Sequence, residues 1–514
     1  MLNSVDFSGR PFHFIGIGGI GMSALAYILA KRNLPVSGSD ICLSHITQRL
    51  QDEGAHIFLS QDASNLEFFQ AQAQTHLTET LPVNSNHGHA VSTADCDSQS
   101  AVKGSTTLRK EELPQVVCST AINPANSEYR AALDLGCPIL HRSDLLAALM
   151  LDYESIAIAG THGKTTTSSM VGYLLFEAGL DPTIIVGGEV NAWEGNARLG
   201  HGPNLVAEAD ESDGSLVKFE AQIGVITNIE LDHPDHYATL DDVIETFKTF
   251  AQRCQTLIGC IDCETVQRDL HPEISYSLNP NSHADYIANQ VSYSANGTTA
   301  EIWERGKYLG DLTLRVLGTH NLSNALAAVA VGRLVGLQFD QIAAALVLFE
   351  GARRRFERRG EYSNIVFVDD YAHHPSEIRA TLSAARLQAD GDDTKPKRVV
   401  AVFQPHRYSR THVFLEEFGQ SFGNANLVVT TDIYSAGESS IGGVRGQQVA
   451  EAIAVHHANV FYRSTLTSVS SFLKDTLMSG DIVLFLGAGN LNQVIPDLMS
   501  FYQKIEESEI QAVV

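Results

Sequence analysis

The run from Ile156 to Thr167, Ile-Ala-Ile-Ala-Gly-Thr-His-Gly-Lys-Thr-Thr-Thr, limits the fold of this chain more tightly than any other stretch. An apolar, strand-like segment stops at Gly160, and a helix-patterned segment, Thr166 to Ala178, begins just beyond. A strand that feeds a helix through a glycine turn is the building unit of a parallel α/β sheet. Such a turn also aims backbone N–H groups of a helix N-terminus at one spot, where an anion is stabilised. Lys164 is placed to reach the β/γ-phosphates of a nucleotide, and the Thr165 hydroxyl to hold Mg²⁺. The spacing departs from G-x-x-x-x-G-K-[ST] at one position, because Ile158 stands where the first glycine should be. Gly160, Thr161, His162, Gly163, Lys164, Thr165 and Thr166 are therefore the expected cradle for an ATP-type ligand. The alternative is an ordinary strand–helix turn carrying an exposed lysine.

A chain of 514 residues is too long for one core and is expected to form about three domains. Alternation of strand and helix begins at once. Phe12 to Ile17 reads as a strand, Gly21 to Lys31 as a helix, Pro35 to Ser39 as a second strand, and Val116 to Ser119 as another. From about 70 to 112 apolar periodicity vanishes into Gln, Ser, Thr, Asn and His, which predicts a disordered polar insertion. Further on, Ile365 to Val368, Val399 to Phe403, Leu427 to Thr430 and Ile482 to Leu486 are short apolar strands separated by helix-length segments, the mark of a second doubly wound sheet. The expected fold class is α/β in three domains. An N-terminal Rossmann-like parallel sheet spans 1–150, a central P-loop ATPase-like domain 151–338, and a C-terminal Rossmann-like doubly wound domain 339–514.

Gly16-Ile-Gly-Gly-Ile-Gly21 follows the first strand and opens the first helix, with Asp40 nineteen residues after Gly21. That is the dinucleotide fingerprint. The physics is less particular than the name, since glycine lets the backbone approach any diphosphate. A diphosphate-bearing nucleotide and NAD both remain open here, as does plain helix–strand packing.

Two acidic tracts follow strands of the central region: Glu208, Asp210, Glu211 and Asp213 after Asn204 to Val206, and Glu230, Asp232, His233 and Asp235 after Ile223 to Ile226. Ligands of α/β sheets bind at the carboxyl ends of strands, and Mg²⁺ takes oxygen ligands. Glu211 is the leading candidate ligand and His233 the second. Asn321 and Asn324 lie three apart on a helix face, where paired amides suit an adenine edge or a helix cap. Asp370, His373 and His374 end another strand, with Pro375 suited to a first helical turn. Adjacent side chains point apart, so the His373–His374 pair is not expected to bind zinc. Arg355 and the tract Gln404-Pro-His-Arg-Tyr-Ser-Arg410 supply guanidinium groups for carboxylate or phosphate.

A formal charge of -25 disfavours nucleic acid and anionic membranes as partners. No run is long and apolar enough to span a bilayer, and the stretch Phe12 to Ala30 is broken by glycines and lacks a signal peptide's basic start. Seven scattered cysteines suggest reduced thiols and a cytoplasmic protein.

Taken in order, Gly16 to Met22, Gly160 to Thr166, Asp210 to Ser215, Asn228 to His233, His320 to Asn324, Arg354 to Phe356, Asp369 to Pro375 and Gln404 to Arg410 resemble the motif series of the Mur ligases, the ATP-dependent amide-forming enzymes of peptidoglycan synthesis. The resemblance covers nearly the whole chain. It implies ATP and Mg²⁺ as cofactors, and UDP-N-acetylmuramate and L-alanine as substrates, the Gly16 and Gln404 tracts favouring the alanine-adding type. It implies that Lys164 and Thr165 meet ATP phosphates and metal, that Glu211 and His233 coordinate Mg²⁺, and that Asn321 and Asn324 place ATP. It further implies that Arg355 and Asp370 clamp phosphate and ribose, that Gly18, Gly19, Ile20, Ser119 and Thr120 meet the UDP moiety, and that His374 and Arg407 lie near the amino acid or the muramyl carboxylate. Lys164, Glu211, His233, Arg355 and His374 form the implied catalytic set. Several relatives carry a carbamylated lysine after the His233-type motif; Lys248 lies in that region and reads more simply as a surface lysine.

Overall fold

The computed structural model describes residues 5–69, 113–391 and 397–513. The polar insertion expected at about 70–112 lies outside the described residues. Two compact units emerge, Met1–Ala148 and Leu149–Val514.

The first unit is built on five parallel strands in the order His56–Phe58, Val36–Ser39, Phe12–Ile15, Gln115–Cys118, Ile139–His141. The central strand Phe12–Ile15 is buried along its length, as a parallel strand covered on both faces must be. One of its four residues is polar: His13, fully buried, meets Glu128 Oε1 and Ser37 Oγ at 2.8 Å each. Glu128, also fully buried, accepts from Ser39 Oγ at 2.5 Å and Asn65 Nδ2 at 2.8 Å. A carboxylate away from water needs such partners, and here they tie two strands, the helix Ser127–Asp134 and the short turn Ala63–Leu66 to one point.

The second unit holds two sheets. The larger has ten strands. Its parallel part runs Tyr286–Ser294, Ile274–Ser277, Cys254–Cys260, Ala221–Ile226, Glu154–Ala159, Asn204–Glu208, Thr183–Val190. Antiparallel strands Gly297–Glu304 and Lys307–Leu314 extend one edge, and Gly195–Arg198 the other. Ile156, Ile158, Met170 and Leu174 pack with Leu322, Leu326 and Val329 in one continuous core. That packing sets the helix Lys164–Glu177 beside the helix Thr319–Leu334.

The other sheet has six strands in the order Glu357–Tyr362, Ile365–Asp370, Ile482–Leu486, Val399–Phe403, Leu427–Thr430, Val460–Tyr462, parallel except for the first. Apolar clusters cover both faces, which is what the uninterrupted Val/Phe/Leu strands require. A division of the second unit near residue 338, between the helices Thr319–Leu334 and Phe339–Leu346, remains our proposal. Among the described residues no helix is long and apolar enough to cross a membrane.

Candidate active site

Three neighbouring strands of the larger sheet, Asn204–Glu208, Glu154–Ala159 and Ala221–Ile226, run parallel, so the segments that follow them converge at one edge. The glycine turn comes first. Gly160 has φ +140°, and a Cβ there would lie 2.0 Å from Thr227 Oγ1. Thr227 and Asn228 hold the turn's backbone: Thr161 N donates to Asn228 O (3.0 Å), His162 N to Asn228 Oδ1 (2.9 Å), and Thr227 Oγ1 to His162 O (2.6 Å). Gly163, at φ +82°, precedes the helix, and no side chain caps it. A helix opening without a cap in a glycine turn is a site for an anion.

Lys164 folds back over this turn. Its Nζ donates to Gly160 O (2.7 Å), Thr161 O (3.2 Å), Glu211 Oε1 (2.9 Å) and Glu211 Oε2 (2.8 Å). Burial would lower the ammonium's pKa, but Glu211, Asp210 and Glu208 outweigh it and hold Lys164 protonated. Burial pushes the Glu211 carboxyl up to about 7 against the pull of Lys164. Glu208, which the sequence reading ranked behind Glu211, occupies the place beside the Thr165 hydroxyl, accepting from Thr165 Oγ1 at 3.1 Å and from Gly187 N at 2.6 Å. The signal for it was present: Glu208 is the last residue of its strand, level with the turn. His233 Nε2 lies 3.8 Å from Glu211 Oε1. Burial lowers the His233 pKa, leaving a neutral ring with a lone pair, and its backbone is left-handed at φ +54°. Lys248 sits on the helix Leu240–Gln252 with Asp269 Oδ1 3.5 Å away, a surface pair.

A cavity opens between the turn and the six-stranded sheet. His162, Gly163 and Thr166 line one side, Asn321 and Asn324 another, and Arg355, Asp370 and Thr381 the third. Asn324 Nδ2 donates to Asn321 Oδ1 (3.3 Å), and Asn321 Nδ2 donates in turn to Leu317 O (2.7 Å), so the two amides share one helix face. A Cβ on Gly163 would lie 2.8 Å from Asn324 Oδ1. Arg355 Nη2 reaches Thr165 Oγ1 at 3.3 Å. Asp370 accepts from Phe356 N (2.7 Å) and Ala372 N (2.8 Å), which fixes the Arg354–Phe356 turn, where Arg354 and Phe356 have φ +58° and +52°. Burial raises Asp370 to about 6.

Several groups of the expected set are already engaged. His374 caps the helix Pro375–Asp390: its Nδ1 accepts from Ser376 N at 3.3 Å, so the ring proton resides on Nε2. Burial, then the nearby charge of His162, lowers its pKa to about 4. Arg407 donates to Asp235 Oδ2 (2.7 Å) and Glu438 Oε1 (3.4 Å). Arg410, the end of the tract expected to supply guanidinium groups for a carboxylate or phosphate, is 2 % exposed and bonds the protein's own Asp232, Oδ1 at 2.8 Å and Oδ2 at 3.2 Å. Asp232 is adjacent to His233, so this buried pair ties the six-stranded sheet to the loop after Ala221–Ile226.

In the first unit, Gly16 takes φ +79° and Gly19 stands at the start of the helix Ile20–Lys31. Gly19, Ile20 and Thr120 are exposed at the carboxyl ends of two adjacent parallel strands, with Gly18 and Ser119 half-buried beside them. Gly18 N donates to Asp40 Oδ2 at 2.8 Å, so Asp40 closes the loop instead of standing free for a ribose, which counts against the NAD reading.

Comparison with known proteins matches this arrangement along the chain. The Mur ligase family catalytic domain matches residues 11–154, the Mur ligase middle domain 158–332, and the Mur ligase glutamate ligase domain 354–489. The UDP-N-acetylmuramate–L-alanine ligase of Nostoc punctiforme is 64% identical over 503 residues, 98% of this chain and 98% of that protein. That of Gloeothece citriformis is 60% identical over 500 residues, 97% and 99% of the two chains. Among solved structures, the UDP-N-acetylmuramate–alanine ligase of Thermotoga maritima superposes with a TM-score of 0.75 at 25% identity, covering 96% of this chain and 99% of its own. The murein peptide ligase of Psychrobacter arcticus shares the fold, with a TM-score of 0.66 at 21% identity over 96% and 99% of the two chains. With three Mur ligase domains matched in order along the chain and a relative 64% identical over 98% of it, this chain belongs to the Mur ligase family.

Proposed function

We propose that this protein is an ATP-dependent ligase that joins L-alanine to the lactyl carboxylate of UDP-N-acetylmuramate, a step of peptidoglycan precursor synthesis. The observation that carries this reading is the 64% identity to an alanine-adding ligase over 98% of both chains. The site supports it. The lactyl carboxylate attacks the γ-phosphate of ATP, ADP leaves, and the amine of alanine attacks the acyl phosphate and expels phosphate.

The protein contributes alignment and charge neutralisation. Lys164, held protonated at the turn, and Arg355, against Thr165, stand where phosphate charge accumulates. Asn321, Asn324 and Asp370 frame the nucleoside side of the cavity. The N-terminal loop Gly18 to Ile20, with Ser119 and Thr120, receives the UDP diphosphate. His374, with its proton on Nε2 and its Nδ1 engaged, acts here as a hydrogen-bond donor to the reacting carboxylate or phosphate and not as the proton acceptor. Arg407 is available to a substrate carboxylate once Asp235 releases it.

The donor set beside the turn, a threonine hydroxyl, two carboxylates and a neutral imidazole, fits a hard divalent ion. Thr165, Glu208, Glu211 and His233 would hold Mg²⁺, which supplies neutralisation of phosphate charge when bound. A cytoplasmic location follows from the substrates. The test is phosphate release with ATP, Mg²⁺ and UDP-N-acetylmuramate, screened over the twenty amino acids, with the product mass confirmed. Turnover with L-alanine at the head of the series is expected. Turnover only with a peptide, or none without a nicotinamide cofactor, would overturn the reading.

A further inference from the structure

A second group of donors meets across the glycine turn. His162 comes from the glycine turn, Glu230 from the loop after Ala221–Ile226, and His374 from the start of the helix Pro375–Asp390. One donor atom from each lies within 4.8 Å of the other two. The rings of His162 and His374 are 4.6 Å apart between centroids. His374 Nε2 is buried without a hydrogen-bond partner among the described residues, and His162 Nε2, also buried, has only the Glu230 carboxylate, 3.5 Å off. Two buried ring nitrogens and one carboxylate thus face a single point.

The surroundings are those of a metal site as well. A ligating histidine usually gives its other nitrogen to a carboxylate, which fixes the ring. His162 Nδ1 lies 3.3 Å from Glu377 Oε1. Glu230 Oε2 is steadied by Ser376 Oγ at 2.7 Å and lies 3.5 Å from His162 Nε2. Glu230 is 44% exposed, giving an ion a path from solvent, while His374 is 4% exposed. A tetrahedral zinc site spaces its ligand atoms by roughly 3.3 Å, so side-chain rotations of about an ångström would close the set.

We propose that His162, Glu230 and His374 form a binding site for a transition-metal ion of the zinc class, separate from the magnesium site at Thr165. Two imidazoles and one carboxylate favour such an ion over Mg²⁺, which prefers an all-oxygen shell. The ion ties the glycine turn to the helix Pro375–Asp390, and through His162 and Glu377 it abuts the cavity. On binding, His162 gives up the proton that Glu230 and Glu377 now hold on it, one per ion. His374 stays neutral, its proton moving from Nε2 to Nδ1 as the long contact from Ser376 N is released. Zn²⁺ takes the place of the Nε2 proton that faces Glu230, while the Nδ1 proton stays against Glu377.

The test uses the full-length protein, free of Mg²⁺ and nucleotide, titrated calorimetrically with Zn²⁺ in buffers of different ionisation enthalpy. One equivalent bound with one proton released is expected. Co²⁺ in place of zinc should give the visible bands of a tetrahedral site with nitrogen ligands. His374→Ala and Glu230→Gln should each weaken binding about tenfold or more, whereas Glu208→Gln should leave it unchanged. Glu230→Gln lies on a half-exposed loop and guards against misfolding of the cap variant. Absence of stoichiometric binding, or binding lost in Glu208→Gln but kept in His374→Ala, would overturn the proposal. No substrate is present, so the result is independent of the ligase reading.

Discussion

Replacing Lys164 with methionine should damage the protein in two separable ways. The ammonium is 12% exposed and Glu211 2% exposed, and both carboxylate oxygens receive it. Removing one member of a buried pair strands the other charge, at about 3–5 kcal/mol. Glu211 can escape that penalty by taking up a proton. Its folded-state pKa, about 7 even beside Lys164, must rise further without it. A carboxyl with a raised folded pKa adds stability below its unfolded value, and that contribution is lost as pH rises through the folded pKa. Wild type and Lys164→Met should therefore differ least near pH 6. The gap should widen by about 1.4 kcal/mol for each pH unit above 7, until the variant's own Glu211 pKa is reached. Lys164→Met/Glu211→Gln should recover the lost stability at pH 8. Both variants should lose ADP formation by about 10²-fold or more. Thermal midpoints from pH 6 to 9, with ADP release measured alongside, test the whole scheme. A midpoint shift that does not change with pH, or no recovery in the double variant, would refute the reasoning.

Glu208→Gln, which keeps the shape but removes charge beside Thr165, should raise the Mg²⁺ concentration needed for half-maximal rate more than Glu211→Gln does; a Mg²⁺ titration of turnover decides between the two carboxylates. Gly163→Ala places a Cβ 2.8 Å from Asn324 Oδ1 and forces a left-handed conformation costing about 1–2 kcal/mol. ATP affinity measured by calorimetry should fall about tenfold or more, with UDP-sugar affinity unaffected. Arg410→Met leaves Asp232 buried and unpaired. Arg410 outweighs burial in wild type and holds that carboxyl well below its usual range, a contribution present above the unfolded pKa and lost as pH falls through the folded one. The variant should lose about 3–5 kcal/mol near neutral pH and show a flatter acid limb in unfolding experiments.

Much of this site is legible in the order of residues because local rules place it. The glycine turn, the strand ends and the helix face shared by Asn321 and Asn324 each depend on a few consecutive positions. Strands such as Val399–Phe403 and Ile482–Leu486 are long enough in Val, Leu and Phe to declare themselves. The antiparallel strands Gly297–Glu304 and Lys307–Leu314 escaped notice because their faces are only half apolar, although Asn296-Gly297 marks the turn into the first and Arg305-Gly306 the turn between them. Choosing between Glu208 and Glu211 needed three dimensions, since one ends the strand Asn204–Glu208, the other follows three residues on, and only side-chain direction separates a lysine's partner from a threonine's. The pairs Asp232–Arg410 and His13–Glu128 join residues far apart in the chain, and nothing in either neighbourhood names the other.

His233, Arg354, Phe356 and Arg407 all hold a positive-φ backbone conformation that glycine would adopt with less strain. All four carry large side chains beside the cavity or the loops that frame it. Selection of variants for heat resistance alone would drift toward small residues at these positions, and the survivors would be sturdier proteins that turn over poorly. Libraries meant to yield both properties should leave these four codons fixed.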